Sequence, residues 1–157
     1  MASPRAAALV ARLEKGGAKT REILGALAPE QWTRVVYAGP PVWDVRALLA
    51  HLVSAEEALL ELAQDVAAGG VGAPEGLDYD AYNAKEQERF RDYPPEELLL
   101  LLDGARRATL AWVATLDDRR LDLVGRHPAL GEVTLETMIT AIYGHQLLHM
   151  RDLQRDT

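Results

Sequence analysis

The stretch that decides the fold is Leu135-Glu136-Thr137-Met138-Ile139-Thr140-Ala141-Ile142-Tyr143-Gly144-His145-Gln146-Leu147-Leu148-His149-Met150-Arg151-Asp152-Leu153. Leu135, Met138, Ile142, His145, His149 and Leu153 recur at steps of three, four and seven, the spacing of one helix face. Thr134, just before the run, suits an N-cap, because its hydroxyl can accept one of the unpaired amide hydrogens of the first turn. The spacing predicts a helix over 135–154. Two of the chain's four histidines lie on its apolar stripe, four residues apart.

The same period runs through three further segments. Leu9, Leu13, Gly16, Thr20, Ile23 and Leu27 predict a helix over 4–27, and Pro29-Glu30-Gln31-Trp32 a one-turn helix after it. Ala38-Gly39-Pro40-Pro41 breaks the chain, and Asp44 then caps a helix over 45–68. Leu48, Leu52, Ala55, Leu59, Leu62 and Val66 form its expected buried face, which His51 flanks. Gly69-Gly70 ends it. A shorter, polar helix is expected over 79–92. Pro94-Pro95 closes that segment and opens a helix over 95–116, with Glu96 and Glu97 in its favourable first turn and Leu98, Leu101, Ala105, Thr109, Trp112 and Leu116 facing inward. Residues 122–133 read as irregular, and strand signals are almost absent. Four long helices predict an all-α fold, an up-and-down four-helix bundle with longer crossover connections, as one domain over 1–157.

Composition bounds the function. The 157 residues carry a formal charge of −7, with 48% hydrophobic and 26% charged residues. That is ordinary for a soluble globular chain long enough to bury a core. An acidic chain without a basic block predicts no nucleic-acid partner, since phosphate neutralisation needs clustered Lys and Arg. Arg106-Arg107 and Arg119-Arg120 are short basic pairs, read as solvated faces. No apolar run reaches spanning length, so no membrane partner is expected. Met1-Ala2-Ser3-Pro4-Arg5 leads into an amphipathic helix rather than a signal region, which predicts a cytoplasmic location. The chain has no cysteine, so a disulfide, a thiolate ligand or a cysteine nucleophile is excluded.

A metal would therefore be held by nitrogen and oxygen. His145 and His149 can grip one ion together, and His51 on a neighbouring helix would complete a three-histidine set with open positions. The alternative is a pair of core histidines satisfied by hydrogen bonds. Gln146 stands where a zincin protease has its general-base Glu, so that chemistry is absent. His127, before Pro128, reads as an exposed or capping loop residue, and Trp43 as a packing residue. Glu56 and Glu57 point away from His51 on their helix and are not nominated as bases.

Two segments carry a resemblance. Trp43-Asp44-Val45-Arg46-Ala47-Leu48-Leu49-Ala50-His51-Leu52, followed by Val133-Thr134-Leu135 through His145 and His149, is similar to the DinB-like superfamily of four-helix bundles. That superfamily includes YfiT-like proteins and the mycothiol-dependent maleylpyruvate isomerase type. Asp80-x-x-Asn83 resembles the family's short central helix. The resemblance spans nearly the whole chain. It implies His51, His145 and His149 as ligands of zinc, nickel or a similar divalent ion. It also implies hydrolysis, or transfer and isomerisation with a low-molecular-weight thiol, on a small-molecule substrate. With no cysteine in the chain, such a thiol must come from a cosubstrate. Asn83 and Asp152 are weak catalytic candidates: Asn83 near bound water, Asp152 as an acceptor orienting an imidazole. The alternative class is a non-catalytic metal- or ligand-binding bundle with a stress-related role.

Leu98-Leu99-Leu100-Leu101-Leu102 cannot all face one core, since consecutive residues circle the helix. Leu99 or Leu100 must meet the short helix or a second subunit, and a homodimer is expected.

Overall fold

A computed structural model describes residues 3–155. Met1 and Ala2, part of the segment read as lacking a signal region, lie outside it, as do the last two residues of the expected domain. The chain folds as an all-α four-helix bundle built from α1 (Pro4–Gly25), α2 (Val45–Ala67), α4 (Pro95–Val113) and α6 (Leu135–Arg155). The shorter α3 (Tyr79–Arg89) and α5 (Asp118–Leu121) lie in the connections. Both expected N-caps form: the Asp44 side chain accepts from the Ala47 amide and Thr134 Oγ1 from the Thr137 amide, and Ser3 and Asp78 cap α1 and α3 in the same way.

Helix α1 packs on α4 and α6, and α2 packs on the same two helices, so α1 and α2 stand diagonally. Two apolar clusters fill the interior. Leu9, Leu13, Val66, Val113, Met138 and Ile142 belong to one, and Leu24, Leu49, Val53, Leu98, Met150 and Leu153 to the other. Helices α1 and α6 run from the first cluster to the second, while α2 and α4 run from the second to the first. Each parallel pair is a pair of neighbours, which short hairpin loops cannot connect.

The long connections contain what strand there is. Between α1 and α2 lies a 3-10 turn (Pro29–Thr33) and a ribbon of β1 (Val35–Tyr37) with β2 (Trp43–Asp44). Between α4 and α6 lies a second antiparallel ribbon, β3 (Val124–His127) with β4 (Gly131–Thr134). The segment expected to be irregular is therefore a hairpin. Its turn sits at Pro128–Leu130, where Pro and the positive φ of 75° at Gly131 reverse the chain. The hairpin rests on the end of α2: a Cβ at Gly125 would collide with Val66, and Gly72 bridges Arg126 in parallel pairing.

Two sequence readings are corrected. In α4 the buried stripe is Leu98, Leu102, Arg106, Thr109 and Val113, and Leu101 is 37% exposed. The stripe was misphased because arginine at 106 reads as solvent. Arg106 is in fact buried, and so is Glu56. Arg106 Nε and Nη2 donate to the two oxygens of Glu56 at 2.6 and 2.8 Å, Thr109 Oγ1 donates to the same carboxylate at 3.0 Å, and Gln146 Nε2 completes the set. Arg106 Nη1 also donates to the Leu13 carbonyl at 2.7 Å. With Thr20, these residues form a polar layer between the two apolar clusters, tying all four long helices together at mid-height. Of the leucine run, Leu98 and Leu102 are buried, Leu99 packs against the second cluster, and Leu100 is 68% exposed.

Candidate metal centre

His51 sits one turn before Glu56 on α2, and His145 and His149 bracket Gln146 on α6. The polar layer therefore fixes the height at which α2 and α6 face each other. The three imidazoles flank the buried stripes and converge: His51 Nε2 lies 3.1 Å from His145 Nε2, and His149 Nε2 lies 3.0 Å from that same atom. One nitrogen from each falls within 4.8 Å of the others.

The surrounding groups set which nitrogen each ring presents. Tyr37, on β1, places its hydroxyl 2.7 Å from Asp152 Oδ2 and 2.8 Å from His149 Nδ1. A hydroxyl has one proton, and the carboxylate can only accept it. The Tyr37 oxygen must then accept from His149 Nδ1–H, leaving the lone pair of His149 on Nε2, toward the cluster. Asp152 therefore acts through Tyr37, which the sequence reading missed: a lone tyrosine in a short extended segment carries no signal. Asn83, on α3, lies beside the His51 side chain and favours its charged form, against the larger effect of burial. Trp43, read as packing, stacks at a tilt on His51 with ring centroids 4.8 Å apart.

Electrostatics keep the rings neutral. Burial, then the neighbouring His145 and His149, push His51 down to about 3. Burial, then His149 and His127, push His145 down to about 4. Burial lowers His149 as well, opposed by the Asp152 charge. Burial and the hydrogen bond to Asp152 raise Tyr37 well above its ordinary value, so it is a phenol and not a base.

Neutral imidazoles are the form that binds a metal. Two imidazole nitrogens on one tetrahedral zinc lie about 3.3 Å apart, close to the spacings here. Lone pairs brought this close favour a cation among them, and the His149 ring is oriented by a partner of the kind metal-ligating histidines have. The residues fit a divalent ion.

Cavities open on both sides of the cluster. One of about 880 Å³ runs under the first ribbon, with Tyr37, Trp43, Asn83 and His149 in its wall. The other, about 540 Å³, runs along α2 toward the second ribbon, with His51, His145, Asn83 and His127 in its wall. His127, read as exposed or capping, is 7% exposed. The capping half of that reading stands: its Nδ1 accepts from the amides of Ala129 and Leu130 at 3.0 and 3.1 Å. It closes its own hairpin turn and is buried by α2 and α6.

A sequence model of the DinB superfamily matches residues 12–153. The chain belongs to the DinB superfamily. Solved structures share its fold. One is YfiT from Bacillus subtilis, described as a probable metal-dependent hydrolase with an unusual four-helix bundle topology. It is 18% identical, with a TM-score of 0.77 over 99% of this chain and 87% of that one. The mycothiol-dependent maleylpyruvate isomerase is 19% identical, with a TM-score of 0.73 over 94% of this chain and 60% of that one. The colibactin self-resistance protein ClbS, in complex with a dsDNA, is 18% identical, with a TM-score of 0.67 over 93% of each chain. No curated protein sequence matches the chain. At these identities the likeness is one of fold. The parallel neighbour pairs of this DinB bundle depart from simple up-and-down order, and no helix among the described residues is long and apolar enough to cross a membrane.

Proposed function

We propose that this DinB protein binds one divalent ion, zinc or nickel, through His51, His145 and His149 and uses it as a metal-dependent hydrolase of small molecules. The observation that carries this reading is the convergence of three neutral Nε2 atoms, 3.0 and 3.1 Å apart in sequence along the cluster, between two open cavities. An ion held by three neutral ligands keeps its full charge and supplies Lewis-acid chemistry, lowering the pKa of water or a thiol and polarising a carbonyl. The chain's own residues position and enclose. Tyr37 and Asp152 fix the His149 ring, Asn83 lies beside His51, and Trp43 shields the His51 face. In this reading Asn83 and Asp152 are positioning residues.

A second reading has one observation in its favour. The two cavities meet the cluster from different sides, one at His149 and the other at His51 and His145. That suits two reactants, a low-molecular-weight thiol and an acceptor, as in a thiol-dependent transferase or isomerase. The cysteine-free chain would take its thiol from solution.

The test begins with metal content. Zinc- or nickel-loaded wild type should hold about one ion per chain, and His145→Ala and His149→Ala much less. Equal retention in both variants refutes the ligand set. Cobalt-loaded protein then separates the readings. Metal-dependent ester or amide turnover supports the hydrolase. A saturable thiolate-to-cobalt absorption band with mycothiol or bacillithiol supports the transferase. Silence in both makes it a non-catalytic metal-binding module.

We also propose one domain spanning 1–157, a cytoplasmic location, and no nucleic-acid partner. The acidic charge of −7 supports the last, although ClbS shares the fold. Retention of duplex DNA on a filter at low salt would overturn it. Leu100, 68% exposed beside Leu101, supports a homodimer, which light scattering at high micromolar concentration would detect.

A further inference from the structure

Four buried side-chain donor or acceptor atoms lack a hydrogen-bond partner among the described residues: Thr20 Oγ1, Arg34 Nε and Nη1, and His127 Nε2. Only His127 lies in a cavity that reaches the histidine cluster. Its protonation is fixed by its neighbours. Two backbone N–H groups point at Nδ1, at 3.0 and 3.1 Å, and both can only donate. Nδ1 must present its lone pair, so the proton of the neutral ring is on Nε2. His127 lines the cavity, and it is close enough to His145 that a positive charge on it would push the His145 imidazole down. His127 is therefore no fourth ligand, for its Nδ1 lone pair is spent on the turn and its free atom carries hydrogen.

Most of the remaining lining is apolar, with Glu61 and Tyr79 at its exposed edge. Ala55, Ala58, Leu59 and Leu62 on α2 line one wall, with Pro74 and Leu77 from the following loop. Of the polar lining groups near the cluster, Tyr82 donates to the Ser54 carbonyl and Asn83 lies beside His51. A buried donor without a partner is unfavourable, and a ligand acceptor would relieve it. We propose that the 540 Å³ cavity is the substrate pocket, that it takes an apolar molecule bearing a carbonyl-type oxygen, and that His127 Nε2–H holds that oxygen. The inference rests on the metal-enzyme reading only in calling the occupant a substrate. The pocket and its donor belong to the metal-free protein as well.

This assignment explains why the hairpin is pinned so closely to α2. The contact of Gly125 with Val66 and the Gly72–Arg126 bridge hold β3, and hence His127, at a set distance from the cluster. Binding energy spent on the apolar walls would then orient the acceptor beside His51 and His145.

The experiment uses the full chain in EDTA, so that its outcome is independent of the metal. The probes are 4-phenyl-2-butanone and butylbenzene, which differ in one carbonyl oxygen. Binding is followed by amide chemical-shift changes at Ala55, Leu59 and His127. One hydrogen bond to an otherwise unpaired donor predicts about tenfold tighter binding of the ketone. His127→Asn keeps an acceptor for the Ala129 and Leu130 amides but removes the distal N–H, and the ratio should fall to about one. Long-range ¹H–¹⁵N correlation of wild-type His127 should show the proton on Nε2, a readout that stands even if the variant fails to fold. A proton on Nδ1, absence of ketone binding, or an unchanged ratio in a folded His127→Asn overturns the proposal. Loss of zinc stoichiometry in wild type with the ketone preference intact would sink the metal reading alone.

Discussion

Replacing Arg106 by methionine removes two of the four hydrogen bonds that the Glu56 carboxylate accepts, one from each oxygen. The Glu56 side chain is fully buried and that of Arg106 is 9% exposed, so solvent cannot substitute for the lost donors. Breaking one partner out of a buried pair costs about 3–5 kcal/mol, because the remaining charge keeps its desolvation penalty without its counter-ion. For a chain of this size each kcal/mol lowers Tm by about 2–4 °C, so Arg106→Met should melt roughly 6–20 °C below wild type. Calorimetry and urea titration read this directly. The double variant Glu56→Leu, Arg106→Met removes both charges, and the orphaned carboxylate with them, and should recover most of the loss. The layer also sets the height at which His51 meets His145, so the single variant should bind zinc more weakly than the double. A single variant within about 1 kcal/mol of wild type, or a double variant no more stable than the single, would refute the reasoning.

Tyr37→Phe takes the acceptor from His149 Nδ1–H and the donor from Asp152 while keeping the ring. Zinc affinity should fall about 10–100-fold, read by competition with a chromophoric chelator, with helicity unchanged. Wild-type affinity in that variant would show that His149 is oriented by packing alone. The metal-free protein should weaken in acid. His51 and His145, held down to about 3 and about 4, stay unprotonated in the fold while the unfolded chain takes protons below about pH 6.5. Their contribution is intact above that pH and shrinks as the pH falls toward those values. Urea midpoints in EDTA should therefore drop between pH 7 and 5, and drop less in His51→Gln; equal slopes would remove the histidines as the cause.

The helices were legible because their signals are local. Caps at Asp44 and Thr134, prolines at helix starts and three-four apolar spacing place all four long helices to within a few residues. Convergence of His51 with His145 and His149 was legible only as a pairing of i and i+4 on one helix with a lone histidine on another. Direction and adjacency were not legible, because nothing in the periodicity says that α2 and α4 run parallel. Arg106 and Glu56 were hidden for a sharper reason. Each alone reads as a surface charge, and burial becomes tolerable only when α2, α4 and α6 bring Glu56, its bidentate partner Arg106, Thr109 and Gln146 together. His127 was misjudged by the same logic: its turn-closing Nδ1 is a local fact, but the cover over its other edge comes from distant chain.

That division between local and distant signals bears on how the site is built. The long helices set the distances between the three imidazoles, and the polar layer holds that spacing. Orientation and access come from the connections instead: Tyr37 and Trp43 from the first ribbon, Asn83 from α3, His127 from the second ribbon. Each connection reaches the cluster with a different group, and the two cavities lie where those connections cross the bundle. Substitutions in the connections can therefore reshape the pockets while leaving the two apolar clusters intact, since Tyr37, Trp43, Asn83 and His127 belong to neither. A bundle so arranged can keep one three-nitrogen centre and change what is brought to it.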